Sequence, residues 1–194
     1  MISFRAPALR VNDDTIRALE ESAYKIDSSI ASQRFDFFMS FGGLKKLNWL
    51  TAPRLPYRTS KAGLFKKGNS SIIEVPLSAS LLPYVGTTMR IFPIITSLQR
   101  RLLSLESKMT GKPIVFDIHP NEFIDESDEP RIIEKRSYNI IASYIQDTLR
   151  SNLKIKNLGE KALPIYEEQI QYFHTKKYRF VPLKQYVRER GFEI

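Results

Sequence analysis

"SFRAPALRVNDDTIRALEESAYKIDSSI", Ser3 to Ile30, is the stretch from which the rest of the chain is read. Ile2 to Arg5 reads as a short strand, and Pro7 stops it because proline has no N–H to give to a ladder. A helix start follows. Asn12 can cap, Asp13 and Asp14 suit the positive end of a helix dipole, and Val11 can staple onto Ile16. Ile16, Leu19 and Ala23 then recur on one face, which predicts a helix ending near Ala23, before "YKIDSSI".

Working outward, residues 31–70 are the least regular part. Gly42, Gly43, Pro53, Pro56, Gly63 and Gly68 punctuate them, with aromatics between, so they read as a long excursion holding short helical or strand pieces. "SSIIEVPLSAS" reads as a strand ending at Pro76. Ile91, Ile95, Leu98, Leu102 and Leu105 recur at helical spacing and predict a helix to about Lys108. "GKPIVFDIH" reads as an apolar strand covered on both faces. Tyr138 to Leu149 and Pro164 to Phe173 read as helices, "KYRFVPL" as a last strand, and Pro182 opens a final helix that stops at Gly191. Strands alternating with helices predict an α/β protein with about four parallel core strands in one domain, 1–194. In such folds chemistry gathers at the C-terminal ends of strands. The positions to weigh are therefore Arg5 and Pro7, Glu74 to Ser78, and His119 to Glu122.

Composition narrows the classes. The 194 residues suffice for one domain with a sizeable core. No apolar run approaches the roughly 18 residues that span a bilayer, and "MISFRAPALRV" lacks the basic and apolar regions of a signal peptide. With no cysteine, disulfides and thiolate metal sites are excluded, which fits a cytoplasmic location. The net charge of +9 permits nucleic-acid or acidic partners. The cations are scattered, however, and match no nucleic-acid module, so solvated faces are the expectation and no nucleic-acid partner is assigned.

The opening stretch, with "APRLPYR" (Ala52–Arg58), "IIEVPLSAS" (Ile72–Ser80) and "FDIHPNEF" (Phe116–Phe123) in that order, resembles polysaccharide deacetylases of the NodB-homology type. The similarity runs from about Ile2 to Phe192 and corresponds to the C-terminal half of those enzymes. The resemblance implies a partial (β/α) barrel, the second half of a distorted seven-stranded one. It implies a hydrolase of C–N bonds in N-acetylated carbohydrate that uses zinc or another divalent metal held by one aspartate and two histidines. The motifs carrying those ligands precede the Arg-x-Pro strand in the family, and this chain opens on that strand. No metal ligand is therefore expected in it, and it is expected to be inactive alone. By resemblance His119 is the general acid, Asp27 orients its imidazole, and Arg5 holds a catalytic aspartate from the missing half. Asn121 stands where an aromatic residue is expected.

Each assignment has a plainer alternative. His119 can be a satisfied polar residue at a strand end, Arg5 can pair with a surface carboxylate, and Asp27 can form a turn with Ser28 and Ser29. Glu122 reads as a rim or capping carboxylate. Glu74 faces the barrel mouth or a neighbouring loop, and His174 reads as a surface histidine in a polar loop. Two distant histidines without cysteine make a complete zinc site in one chain unsupported. The aromatics of Phe35 to Leu50 read as core or lid packing rather than a sugar platform. The second hypothesis is a non-catalytic domain that binds carbohydrate or a partner, and the third is a basic nucleic-acid-binding domain. Strand edges left by a half-barrel predict a homodimer or capture of a separate N-terminal half.

Overall fold

The structure, a computed structural model, describes residues 2–12, 14–34, 47–125, 153 and 155–194. The expected helix at Tyr138 to Leu149, and most of the Phe35 to Leu50 aromatic run, lie outside them. The chain divides into two compact units. One comprises Met1–Pro83, Leu102–Val115 and Arg179–Ile194; the other comprises Tyr84–Arg101 and Phe116–Tyr178.

The first unit is built on a five-stranded mixed sheet in the order β1-β2-β5-β3-β4. Its strands are β1 (Ser3–Phe4), β2 (Ile26–Asp27), β3 (Tyr57–Ser60), β4 (Gly63–Lys67) and β5 (Ile73–Glu74). β1, β2 and β5 run parallel in chain order, while β3 is antiparallel to both β5 and β4. α1 (Thr15–Glu21) is the crossover between β1 and β2. Its N-cap is Asp14, with no side-chain capping bond, so the expected Asn12 cap is not formed; Asn12 Oδ1 instead accepts from the Thr15 hydroxyl. It ends with the Tyr24 N–H on the Leu19 carbonyl and the Ala23 N–H on that of Glu20, with Ala23 at φ 58°. Val11 packs with Ile16 and Leu19 in one core cluster with Phe4, Ile30, Leu64 and Ile72. On the other sheet face Ile26, Ile73 and Val75 pack with Val187 of α6 (Leu183–Glu189). The excursion holds α2 (Leu47–Thr51) as well as β3 and β4. β6 (Ala79–Ser80) and β7 (Leu82–Pro83) form a small hairpin.

Two expected strands are absent. Lys112 to Ile118 is extended but joins no ladder, and Pro113 to Ile118 are half-buried rather than covered on both faces. It is met only at isolated points: Ser78 N–H to the Val115 carbonyl, Val115 N–H to the Ser78 hydroxyl, and Asp117 to Tyr84 and Gly86. "KYRFVPL" is an irregular connection with Phe180 exposed, so it leaves no strand edge.

The second unit contains α3 (Gly86–Ile91) and α5 (Ala162–Thr175). Its aromatics cluster around Tyr84, Phe116, Tyr166 and Phe173. α4 (Pro93–Thr110) passes from the second unit into the first. Pro93 starts it, so Ile91 belongs to α3. The periodicity locates the helix but not its inner face. Thr96, Gln99, Arg100, Leu103 and Ser104 are buried, while Ile95, Leu98, Leu102 and Leu105 face solvent. Leu103 is 2% exposed and Leu102 58%. Leu103→Ala should therefore cost about 2–5 kcal/mol, and Leu102→Ala should stay within about 0.5 kcal/mol of the parent, both read by urea unfolding.

Candidate functional site

The parallel register places Phe4, Asp27 and Glu74 side by side, with Tyr57 opposite Glu74 on β3. Residues in one row share a sheet face. Two carboxyl groups are thus neighbours on adjacent strands, and both are fully buried. Asp27 Oδ1 accepts from the Ser29 hydroxyl at 2.7 Å, and Glu74 Oε1 accepts from the Ile30 N–H at 3.1 Å. Asp27 Oδ2 and Glu74 Oε2 are buried with no hydrogen-bond partner among the described residues, and each carboxyl affects the other's titration. Two neighbouring buried carboxylates repel, so the pair favours holding a proton. Burial raises Glu74 well above the usual carboxylate range, the Asp27 charge adds to it, and the Ile30 N–H and Arg5 oppose it. Burial also raises Asp27, against Glu74 and the hydrogen bond from Ser29.

The strand ends around the pair are tied by side chains. The Ala6 N–H donates to the Ser29 hydroxyl at 2.8 Å, which donates onward to Asp27. Arg5 Nε donates to the Ser28 carbonyl and Nη2 to the Ser28 hydroxyl, both at 2.9 Å. The Ser28 hydroxyl donates to the Val75 carbonyl at 2.8 Å, so β1, β2 and β5 are linked beyond their ladders. Tyr57 is pushed up by burial, and further by Glu74 and Asp27; its neutral hydroxyl donates to the Leu64 carbonyl.

Arg5 and Asp27 thus meet in the first unit, with Glu74, Ser28 and Ser29. Glu74 is buried beside Asp27 and does not face an opening. The sequence carried a signal for it, an acid inside the apolar run "IIEVP", but nothing to pair it with Asp27, because "YKIDSSI" does not read as a strand.

His119 belongs to the second unit. It is exposed and precedes the short 3-10 turn Pro120–Phe123, its carbonyl accepting from the Glu122 N–H at 3.0 Å. The segment before it is held by Gly86 N–H to the Asp117 carbonyl at 2.8 Å. Asn121 is exposed. Glu122 is neither rim nor cap. It is buried, paired with Arg90 and bonded by the Thr87 hydroxyl at 2.8 Å. His174 lies in the last turn of α5, not in a loop, and is exposed there, where a cation suits the helix dipole.

The chain has two histidines and no cysteine, and no three His, Asp or Glu side chains gather as metal ligands among the described residues. Asp27 and Glu74 are committed to Ser29 and to backbone amides. These residues do not fit a zinc site. Comparison with family models, curated proteins and solved structures finds no match. No described helix is long and apolar enough to cross a membrane.

The buried pair fixes a pH dependence. Both folded-state pKa values are raised, so the folded state holds more protons than the unfolded chain above the ordinary carboxyl values of 3.8 and 4.5. The pair's stabilisation is full below that range and is lost as pH rises through the folded values. Glu74→Gln keeps a donor towards Asp27 but cannot ionise. Its unfolding free energy, relative to the parent's, should rise with pH from about 4.5 upward in urea titrations. In the second unit, Glu122→Ala should cost about 3–5 kcal/mol by leaving Arg90 buried without its carboxylate, and Arg90→Met with Glu122→Met should recover most of it.

Proposed function

We propose that this chain supplies the proton-donating side of an amide-hydrolysing site of polysaccharide deacetylase type, with N-acetylated carbohydrate as substrate. The observation that carries the reading is the parallel β1-β2-β5 trio, in chain order, whose C-terminal ends bring Arg5, Asp27, Ser28 and Glu74 together. That is where parallel α/β folds place their chemistry. His119 is the proton donor. As the C–N bond breaks, an imidazolium N–H gives its proton to the departing amine nitrogen, and the electron pair of the bond stays on that nitrogen. Arg5, through both Ser28 contacts, fixes the end of β1 against β2. No donor set for a metal gathers among the described residues, and no step here runs through one.

One observation favours a non-catalytic reading: Asp27 and Glu74 are fully buried and bonded to their neighbours, as a structural pair would be. Carbohydrate recognition at His119 separates the two. With only two histidines, their imidazole signals can be assigned by NMR using His174→Gln. Titration with N-acetylglucosamine oligomers should shift the His119 signals and leave those of His174 in place. His119→Ala should weaken binding by about tenfold or more, the scale of a lost hydrogen bond to a charged group. Acetate release by the chain alone, with zinc or cobalt added, should stay at background. Unshifted His119 signals at saturating oligomer would remove the carbohydrate reading. Turnover by the chain alone that disappears in His119→Ala would overturn the division of donors.

A further inference from the structure

The solvent face of α4 carries Ile95, Leu98, Leu102, Leu105 and Met109. Their spacings alternate between three and four, the heptad pattern by which one helix seats another. All five are exposed, Met109 at 85%, and Ile94 widens the stripe at its start. The helix is 18 residues long, about 27 Å, so the seam is long enough for several layers of side-chain packing. Scattered apolar residues on a surface are ordinary, but a continuous stripe marks an association surface.

The flanks of the stripe differ. On one side stand Arg101 and Lys108, both exposed, at the positions just before Leu102 and Met109. On the other stand Gln99, which is buried, and Glu106, which Arg54 and Lys112 neutralise. Arg54 and Lys112 hold the Glu106 carboxyl below its usual range, the Arg54 hydrogen bond contributing most and burial opposing it. The seam therefore presents one apolar ridge with one cationic edge and no available anionic edge.

A second copy of the chain fits poorly. Antiparallel pairing sets Arg101 and Lys108 against the same cations of the partner, and parallel pairing asks Arg101 to reach a Glu106 that is already doubly paired. We infer that α4 is a docking surface for an amphipathic helix of another polypeptide, with apolar heptads and acidic residues along the edge that meets Arg101 and Lys108. The seam belongs to one helix and is independent of the catalytic reading.

The test uses the full chain and fluorescein-labelled peptides of about four heptads, with Leu at a and d. One peptide carries Glu at e and g, the other Lys; like charges keep each from pairing with itself. The Glu peptide should bind at least about tenfold more tightly than the Lys peptide at low salt, and the difference should shrink as salt rises. Leu98→Ser with Leu102→Ser should abolish binding while circular dichroism and melting temperature match the parent. Arg101→Glu with Lys108→Glu should reverse the preference. Equal binding of both peptides, or of neither, would overturn the inference. So would a dimer of the parent that dissociates in the serine variant, which assigns the seam to a second copy. A serine variant that melts well below the parent would overturn it too, because the seam would then be covered from within the chain.

Discussion

The buried carboxyl pair of Asp27 and Glu74 is the constraint on which the first unit depends. β1, β2 and β5 are each two residues long, so their ladders supply few backbone bonds, each worth about 1 kcal/mol net. Side chains make up the difference. With a proton on the pair, the carboxyls can sit side by side across β2 and β5; with none, they would be two like charges in a dry site. The same arrangement reaches sideways. Ser29 passes a hydrogen bond from Ala6 of the β1 end into the pair, and Arg5 grips Ser28 from the same side. Beyond β5, the two carboxyls help keep Tyr57 neutral, so its hydroxyl remains a donor to Leu64 and ties β3 to β4.

What the sequence made legible follows from how local each signal is. The β1–α1 segment was readable because the staple from Val11 to Ile16 and the stop at Pro7 act within a few residues, although the N-cap falls at Asp14 rather than Asn12. The β5 strand was readable from "SSIIEVP", where proline marks the end. β2 was not, because two residues flanked by Lys25 and Ser28 carry no period, and their strand character comes from neighbours that are distant in sequence. "PIVFDIH" misled for the opposite reason: an apolar run signals burial, yet only single bonds at Ser78, Tyr84 and Gly86 meet it. "KYRFV" fails likewise, leaving Phe180 exposed and the expected sheet edge unformed.

The candidate site divides along the same line. Arg5 and Asp27 could be picked from motif order, but their geometry depends on Ser28, Ser29 and Glu74, which no single motif brings together. Glu122 shows the reverse error. A carboxylate three residues after His119 invites a rim role, whereas its oxygens are consumed by Arg90 and Thr87. Burying that pair is tolerable only because each charge has its partner and further hydrogen bonds. Arg90 reaches the Lys156 carbonyl at 2.6 Å, and the Asn157 amide donates to the Arg90 carbonyl at 2.8 Å. The pair fixes the turn that follows His119.

α4 inverts the usual polarity of a packed helix, and the inversion has internal support. Its inward charged residues are bonded, while Thr96 Oγ1 and Arg100 Nε are buried without a hydrogen-bond partner among the described residues. Arg100 donates to the Glu168 carbonyl at 3.0 Å and to its carboxylate at 2.8 Å, and lies over the Tyr172 ring at 4.2 Å. Farther along, Glu106 is gripped by Arg54 and by Lys112, whose own pKa is lowered by burial and by Arg54 while Glu106 opposes both. Leaving a buried polar group unpaired costs about 1–3 kcal/mol for a neutral one and more for a charge. Here the charged groups meet complementary ones on both sides of the helix midpoint. The orientation is thus fixed by specific polar contacts, and rotating the helix to bury Leu98 and Leu102 would break them. The apolar positions on the outer face thus contribute nothing to the core that the described residues form.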